Sequence, residues 1–164
     1  MTLKIYIAGP DVFFLDIAPR AAAQKALCAR SGIVPLHPVD QPTLTAEFIY
    51  RNNIALIREA DAVVANLDPF RGAEVDSGTA FEVGYATALG KPVVGYVAQA
   101  GSLLERVGAY CGPLRQDPAH GTWHDRDGNL VENFGLPVNL MLGVSARVVV
   151  GGFAEALAEV CRGA

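Results

Sequence analysis

Apolar residues along this chain fall into short unbroken runs and longer stretches where they recur at helical spacing. The segment LKIYIAG (3–9) is a β-branched and aromatic run stopped by Gly9-Pro10, which predicts a buried strand. PRAAAQKALCARSG (19–32) follows as an alanine-rich helix, with Pro19 near its first turn and Gly32 just past its end. IVPLHPVDQP (33–42) predicts a short strand running into a proline-broken loop. From Thr43 or Thr45 to Ala60, apolar residues at 48, 49, 54, 56 and 57 alternate with polar ones in a helical pattern. DAVVANLD (61–68) predicts a third strand, DSGTAFEVGYATALGKP (76–92) a helix with its cap and a Gly90 stop, and KPVVGYV (91–97) a fourth strand. Strands alternating with helices of this length predict one parallel sheet covered on both faces.

Past residue 100, SLLERVGAYCG predicts a helix and TWHDRDGNLVENF a hairpin turning at Asp127-Gly128. LPVNLML opens a short helix, ARVVVGG offers a fifth strand, and GGFAEALAEVCRG is a closing helix with apolar residues at 153, 157 and 160. No repeat, linker or low-complexity segment divides the chain, so residues 1–164 are expected to form one domain.

Composition narrows the class. With 51% hydrophobic and 18% charged residues, the 164-residue chain can bury a core of its own. A net charge of -4 argues against a nucleic-acid polymer or an anionic membrane as partner, since both require clustered Lys and Arg. The opening MTLKIYIAGP has too short an apolar run for a signal peptide or a span, so a cytoplasmic location is expected. Cys28, Cys111 and Cys161 are odd in number, far apart and without a CxxC pair, as suits reduced thiols.

Ligands of parallel α/β sheets bind at the carboxyl ends of the strands. Three loops meet there in this chain, AGPDVFF, HPVDQP and DPFRGAEVDSG. They supply Asp11, Asp40, Asp68, Glu74 and Asp76, with Glu82 expected in the first turn of the next helix and Arg71 as the one cation. Such a lining favours neutral polyhydroxyl or amine-bearing ligands, sugars and nucleobases among them, over phosphates. A glutamate at a helix N-terminus stays ionised and can attack an electrophilic carbon, as in retaining glycosidases, with a second carboxyl assisting the leaving group or holding a hydroxyl. The plain alternative is structural: Thr79 and Glu82 match a capping box, and Asp76 matches an N-cap. Neither GxGxxG nor GxxxxGK[ST] is present, so dinucleotide and triphosphate cradles are not supported. DRDGN (125–129) has its glycine out of place for a calcium loop, and His37, His120 and His124 lack metal-ligand spacing; no metal is predicted.

Four segments, IYIAGPDVF, YRNNIALIREADAVVANLDPFRG, DSGTAFEVGYATALGKPVV and LPVNLML, occur in an order that resembles the nucleoside 2-deoxyribosyltransferases across nearly the whole chain. The resemblance implies a flavodoxin-like doubly wound parallel sheet and transfer of a 2-deoxyribosyl group between purine or pyrimidine bases, as in nucleoside salvage, without a cofactor. It implies that Glu82 is the nucleophile, forming a deoxyribosyl ester, and that Asp76 holds the sugar hydroxyls. Tyr6 then matches the first-strand tyrosine beside the glutamate and Phe13 a loop aromatic packing on the ligand. Gly9, Asp11 and Asp40 join them as substrate-binding residues of the surrounding loops. Asn139 and Met141 match residues that reach into a neighbouring subunit, which implies a homo-oligomer with shared sites. One departure stands out: lactobacillus-type members carry an aspartate, thought to protonate the departing base, where this chain has Asn53, and an amide has no proton to give near neutral pH. Asp11, Asp40 or Asp76 would then supply that proton, or the base leaves with little help. Two other readings compete: an N-glycosidase hydrolysing deoxynucleosides or their monophosphates, and a nucleoside-binding module in which Glu82 is only a cap. The monophosphate version is disfavoured, because Asp11 would repel a phosphate at close range.

Overall fold

The computed structural model describes residues 2–40 and 45–163. Five strands, β1 (Lys4–Ala8), β2 (Val34–Leu36), β3 (Ala62–Asn66), β4 (Val93–Val97) and β8 (Arg147–Val150), form a parallel sheet in the order β2-β1-β3-β4-β8. This is the flavodoxin-like winding expected from the resemblance, and the segment at 146–152 is its fifth strand. Three more short strands, β5 (Arg115–Gln116), β6 (Trp123–His124) and β7 (Leu130–Val131), make a small antiparallel sheet outside it. The β6–β7 hairpin was legible in the sequence; β5, two exposed polar residues, was not. At its turn, Asp125 Oδ1 accepts from the Asp127 and Asn129 amides at 2.9 Å each, an Asx turn in place of a calcium loop.

Each strand of the central sheet sends alternate side chains to opposite faces. Tyr6, Ala8, Val63 and Ala65 point to one face and pack under α2 (Ala46–Glu59), α3 (Ser77–Ala88) and α5 (Leu140–Ser145). Ile5, Ile7, Val64 and Val94 point to the other, under α1 (Ile17–Arg30) and α6 (Phe153–Gly163). Helix α4 (Leu103–Cys111) packs with the small sheet in a satellite core.

Helix α2 begins after Thr45, whose side chain accepts from the Phe48 amide at 3.1 Å; the other start considered, Thr43, lies outside the described residues. Helix α3 is capped by Asp76, whose Oδ2 accepts from the Thr79 amide at 2.9 Å and hydroxyl at 3.0 Å. That start at Ser77 moves Glu82 from the expected first turn into the second. The Thr79–Glu82 capping box does not form, because Thr79 already lies within the helix and bonds to Asp76.

Candidate active site

Because strand side chains alternate, Tyr6 faces α3 and not α1. Its hydroxyl, fully buried, donates to Glu82 Oε1 at 2.6 Å. From α2, Asn53 Nδ2 donates to the same oxygen at 3.2 Å. Among the described residues no hydrogen bond falls on Glu82 Oε2, so that oxygen is left for a ligand. Asn53 Oδ1 is buried and unpartnered, the cost of aiming the amide's donor at the carboxylate; the flipped amide would set oxygen against oxygen.

Glu82 lines a cavity of about 570 Å³ at the carboxyl end of β1, where the winding of the sheet changes direction. Asp76, Asn52 and Asn53 share its polar side. Its apolar walls come from Val12 and Phe13 after β1, Pro38 and Val39 after β2, and Phe48 and Ile49 at the start of α2. Neither Lys nor Arg is among the described lining residues, which suits an uncharged ligand.

Burial pushes the Glu82 carboxyl up to about 7; the Tyr6 and Asn53 hydrogen bonds oppose this and the Asp76 charge adds to it. The expectation of a fully ionised glutamate at a helix end therefore changes, since in the second turn burial outweighs the helix dipole. Burial and the Glu82 charge raise the Tyr6 phenol far above its ordinary range, so it remains a proton donor in the hydrogen bond.

Of the other residues singled out in sequence, Gly9 and Phe13 line this cavity. Gly9 lets the chain pass close to β3, since a Cβ there would lie 2.8 Å from both Asn66 Cβ and Asp11 Oδ2. Asp11 is buried outside the lining, accepting from Asn66 Nδ2 at 3.0 Å, with Arg20 Nη1 3.8 Å away. Asp40 is exposed and pairs with Lys25 of α1. Asp68 accepts from the Ala98 amide at 2.8 Å. Glu74 sits in a separate cleft with Asn139 and Met141. Asn139 caps α5 and donates to Glu132 Oε1 at 2.7 Å, while Met141 is 71% exposed. Arg71 lies over the stacked rings of Phe13 and Phe70, 5.0 and 4.6 Å from their centres.

Sequence reasoning missed Asn52 and the Phe48–Ile49 wall. The signal was present: 48 and 49 were counted with the apolar stripe of α2, yet Ile57 takes the core and these two are left facing the cavity. Val12, Pro38 and Val39 stand in two of the loops the sequence sets at the strand ends, but without periodicity nothing marks which of their side chains form the wall.

A parallel α/β sheet carries a buried, hydrogen-bonded carboxylate at its switch point, and the cavity it opens on has no cation among its described lining residues, a setting that suits a neutral polar ligand. The sequence model described as nucleoside 2-deoxyribosyltransferase matches residues 5–141. The chain belongs to that family, whose substrates are nucleosides and nucleobases. It is similar to a 2-deoxyribosyltransferase from Leishmania mexicana, at 38% identity and TM-score 0.82, over 98% of this chain and 97% of the other. An uncharacterised Schizosaccharomyces pombe protein is 29% identical over 91% of this chain and 79% of its own length. A conserved protein from Enterococcus faecalis, at 20% identity and TM-score 0.60 with full coverage of both chains, shares the fold. Among the described residues no helix is long and apolar enough to cross a membrane.

Proposed function

We propose that this protein transfers a 2-deoxyribosyl group from one nucleobase to another through an ester on Glu82. The observation that carries the reading is the Glu82 carboxylate itself: one oxygen is engaged by Tyr6 and Asn53, the other takes no hydrogen bond among the described residues, and the residue lines a cavity large enough for a nucleoside. Oε2 attacks the anomeric carbon as the bond to the base breaks, giving the glutamyl ester and the departing base, which takes up a proton as it leaves. A nitrogen of the incoming base then attacks the same carbon, gives up the proton that the departing base required, and releases the carboxylate, so two inversions retain the configuration. Tyr6 and Asn53 hold the carboxylate for the first step and stabilise it again as it leaves in the second.

Of Asp11, Asp40 and Asp76, only Asp76 lines the cavity. Its Oδ2 is occupied with the cap, which leaves Oδ1 to take a sugar hydroxyl and to assist the departing base. Similarity to the Leishmania mexicana 2-deoxyribosyltransferase over nearly the whole chain supports transfer.

Deoxyinosine incubated with adenine is the test, with deoxyadenosine formation as the expected result. Hypoxanthine release without deoxyadenosine would assign an N-glycosidase, in which water resolves the ester. No turnover would leave a nucleoside-binding module.

A further inference from the structure

Helix α1 packs on the face of the sheet away from Glu82 and meets the cavity at its first residue, Ile17, while two polar side chains further along it reach His37 and the turn that walls the cavity. Gln24 is buried on its core face, between Ala21 and Cys28, where an amide is costly unless bonded. Its partner is His37, 3% exposed, with Nε2 3.0 Å from Gln24 Oε1. Across the ring, His37 Nδ1 lies 3.3 Å from the Val39 amide nitrogen. An amide nitrogen can only donate, so Nδ1 is the bare nitrogen and Nε2 carries the proton given to Gln24. The ring thus bridges helix α1 to the backbone of the single turn Pro38–Asp40. One residue further along α1, Lys25 pairs with Asp40 at the other end of that turn. Pro38 and Val39, held between the two ties, face the cavity.

We propose that His37 is a positioning residue for the nucleoside site: its Nε2–H tautomer, tied to Gln24, holds the Val39 amide and so sets the Pro38–Val39 wall opposite Phe48 and Ile49. The proposal rests on reading this cavity as the nucleoside site. The charge state fits the geometry. Burial lowers the imidazole from its ordinary value, with Lys25 adding to the lowering while Asp40 and Asp11 oppose it, so the ring is neutral at neutral pH. A second proton would set Nδ1–H against the Val39 N–H and release the turn.

His37→Ala removes both ties of the ring, whereas His37→Asn keeps an oxygen that can accept from the Val39 amide as an Asx turn. The Ala variant is expected to raise KM for deoxyinosine roughly tenfold with kcat within about twofold, as a displaced wall weakens binding more than chemistry. The Asn variant is expected to stay within about threefold of the wild-type KM. If His37→Ala does not fold, Gln24→Met, which keeps the core face of α1 apolar, is expected to raise KM in the same direction. Unchanged KM in His37→Ala, or in Gln24→Met where it stands in, or a fall in kcat with KM constant, overturns the proposal. Hydrogen exchange of the Val39 amide gives a readout independent of turnover. Faster exchange in His37→Ala (or in Gln24→Met in its place), restored in His37→Asn, is expected, and unchanged protection overturns the tie. Wild-type protein that exchanges no bases would sink the transferase reading and leave this amide measurement to decide the clamp by itself.

Discussion

At Glu82, a carboxyl raised to about 7 against an ordinary 4.5 means that the folded chain binds a proton the unfolded chain has already lost. Stability therefore falls as pH rises between those values and is flat above about 7. The full gap corresponds to roughly 3 kcal/mol of cost from the buried charge at alkaline pH. Glu82→Gln is expected to raise the melting temperature at pH 8 and leave it little changed at pH 4, as thermal unfolding at both pH values will show. A cap would behave oppositely, losing about 1 kcal/mol on replacement at pH 8. In the proposed transfer the same titration governs the chemistry, since there only the carboxylate attacks. kcat/KM is expected to decline below pH about 7, tenfold per pH step on its acid limb. Glu82→Ala should lower base exchange by roughly three orders of magnitude or more, measured by the same deoxyinosine–adenine assay.

Helix α3 matters through where it starts. With Asp76 as N-cap, helical periodicity sets Glu82 over the end of β1, within reach of Tyr6. Asp76 thereby joins the helix start to the ligand cavity, and its two oxygens can be separated by experiment. Asp76→Asn keeps a capping side chain at little cost in stability, because Asn caps about as well as Asp. If Oδ1 assists the departing base, this variant should lose more rate with a poorly leaving base than with a good one; equal losses would confine Asp76 to the sugar. The loop after β1 works under a tighter constraint. Gly9→Ala drives a methyl against Asn66 and Asp11 and is expected to cost about 1–3 kcal/mol, read from denaturant midpoints.

Across the whole molecule, the cavity and the α5 region occupy different places. Asn139 and Met141 belong to a separate cleft beside α3, and α5 itself exposes two large apolar side chains, Met141 and Val144. We propose that these two residues serve the cavity of a neighbouring copy. Mixing Glu82→Ala with Asn139→Ala should then restore part of the activity each lacks alone, because mixed oligomers contain one site with both native residues. Failure to complement, with both variants folded, would return each site to a single chain.

The strand and helix alternation, the five-stranded sheet and the family were legible because hydrophobic periodicity is local and the motifs are contiguous in the chain. Tyr6, Asp76 and Glu82 could be singled out for the same reason. The resemblance set Tyr6 beside Glu82, but that Asn53, 29 positions before the glutamate and on another helix, meets the same oxygen is a convergence no local pattern encodes. Asp11, Asp40 and Asp76 looked alike as loop carboxyls, and packing alone separated one bonded to Asn66, one paired with Lys25 and one lining the cavity. The elevated Glu82 value belongs to the same class, since desolvation is set by what surrounds a group in space and not by its neighbours in the chain.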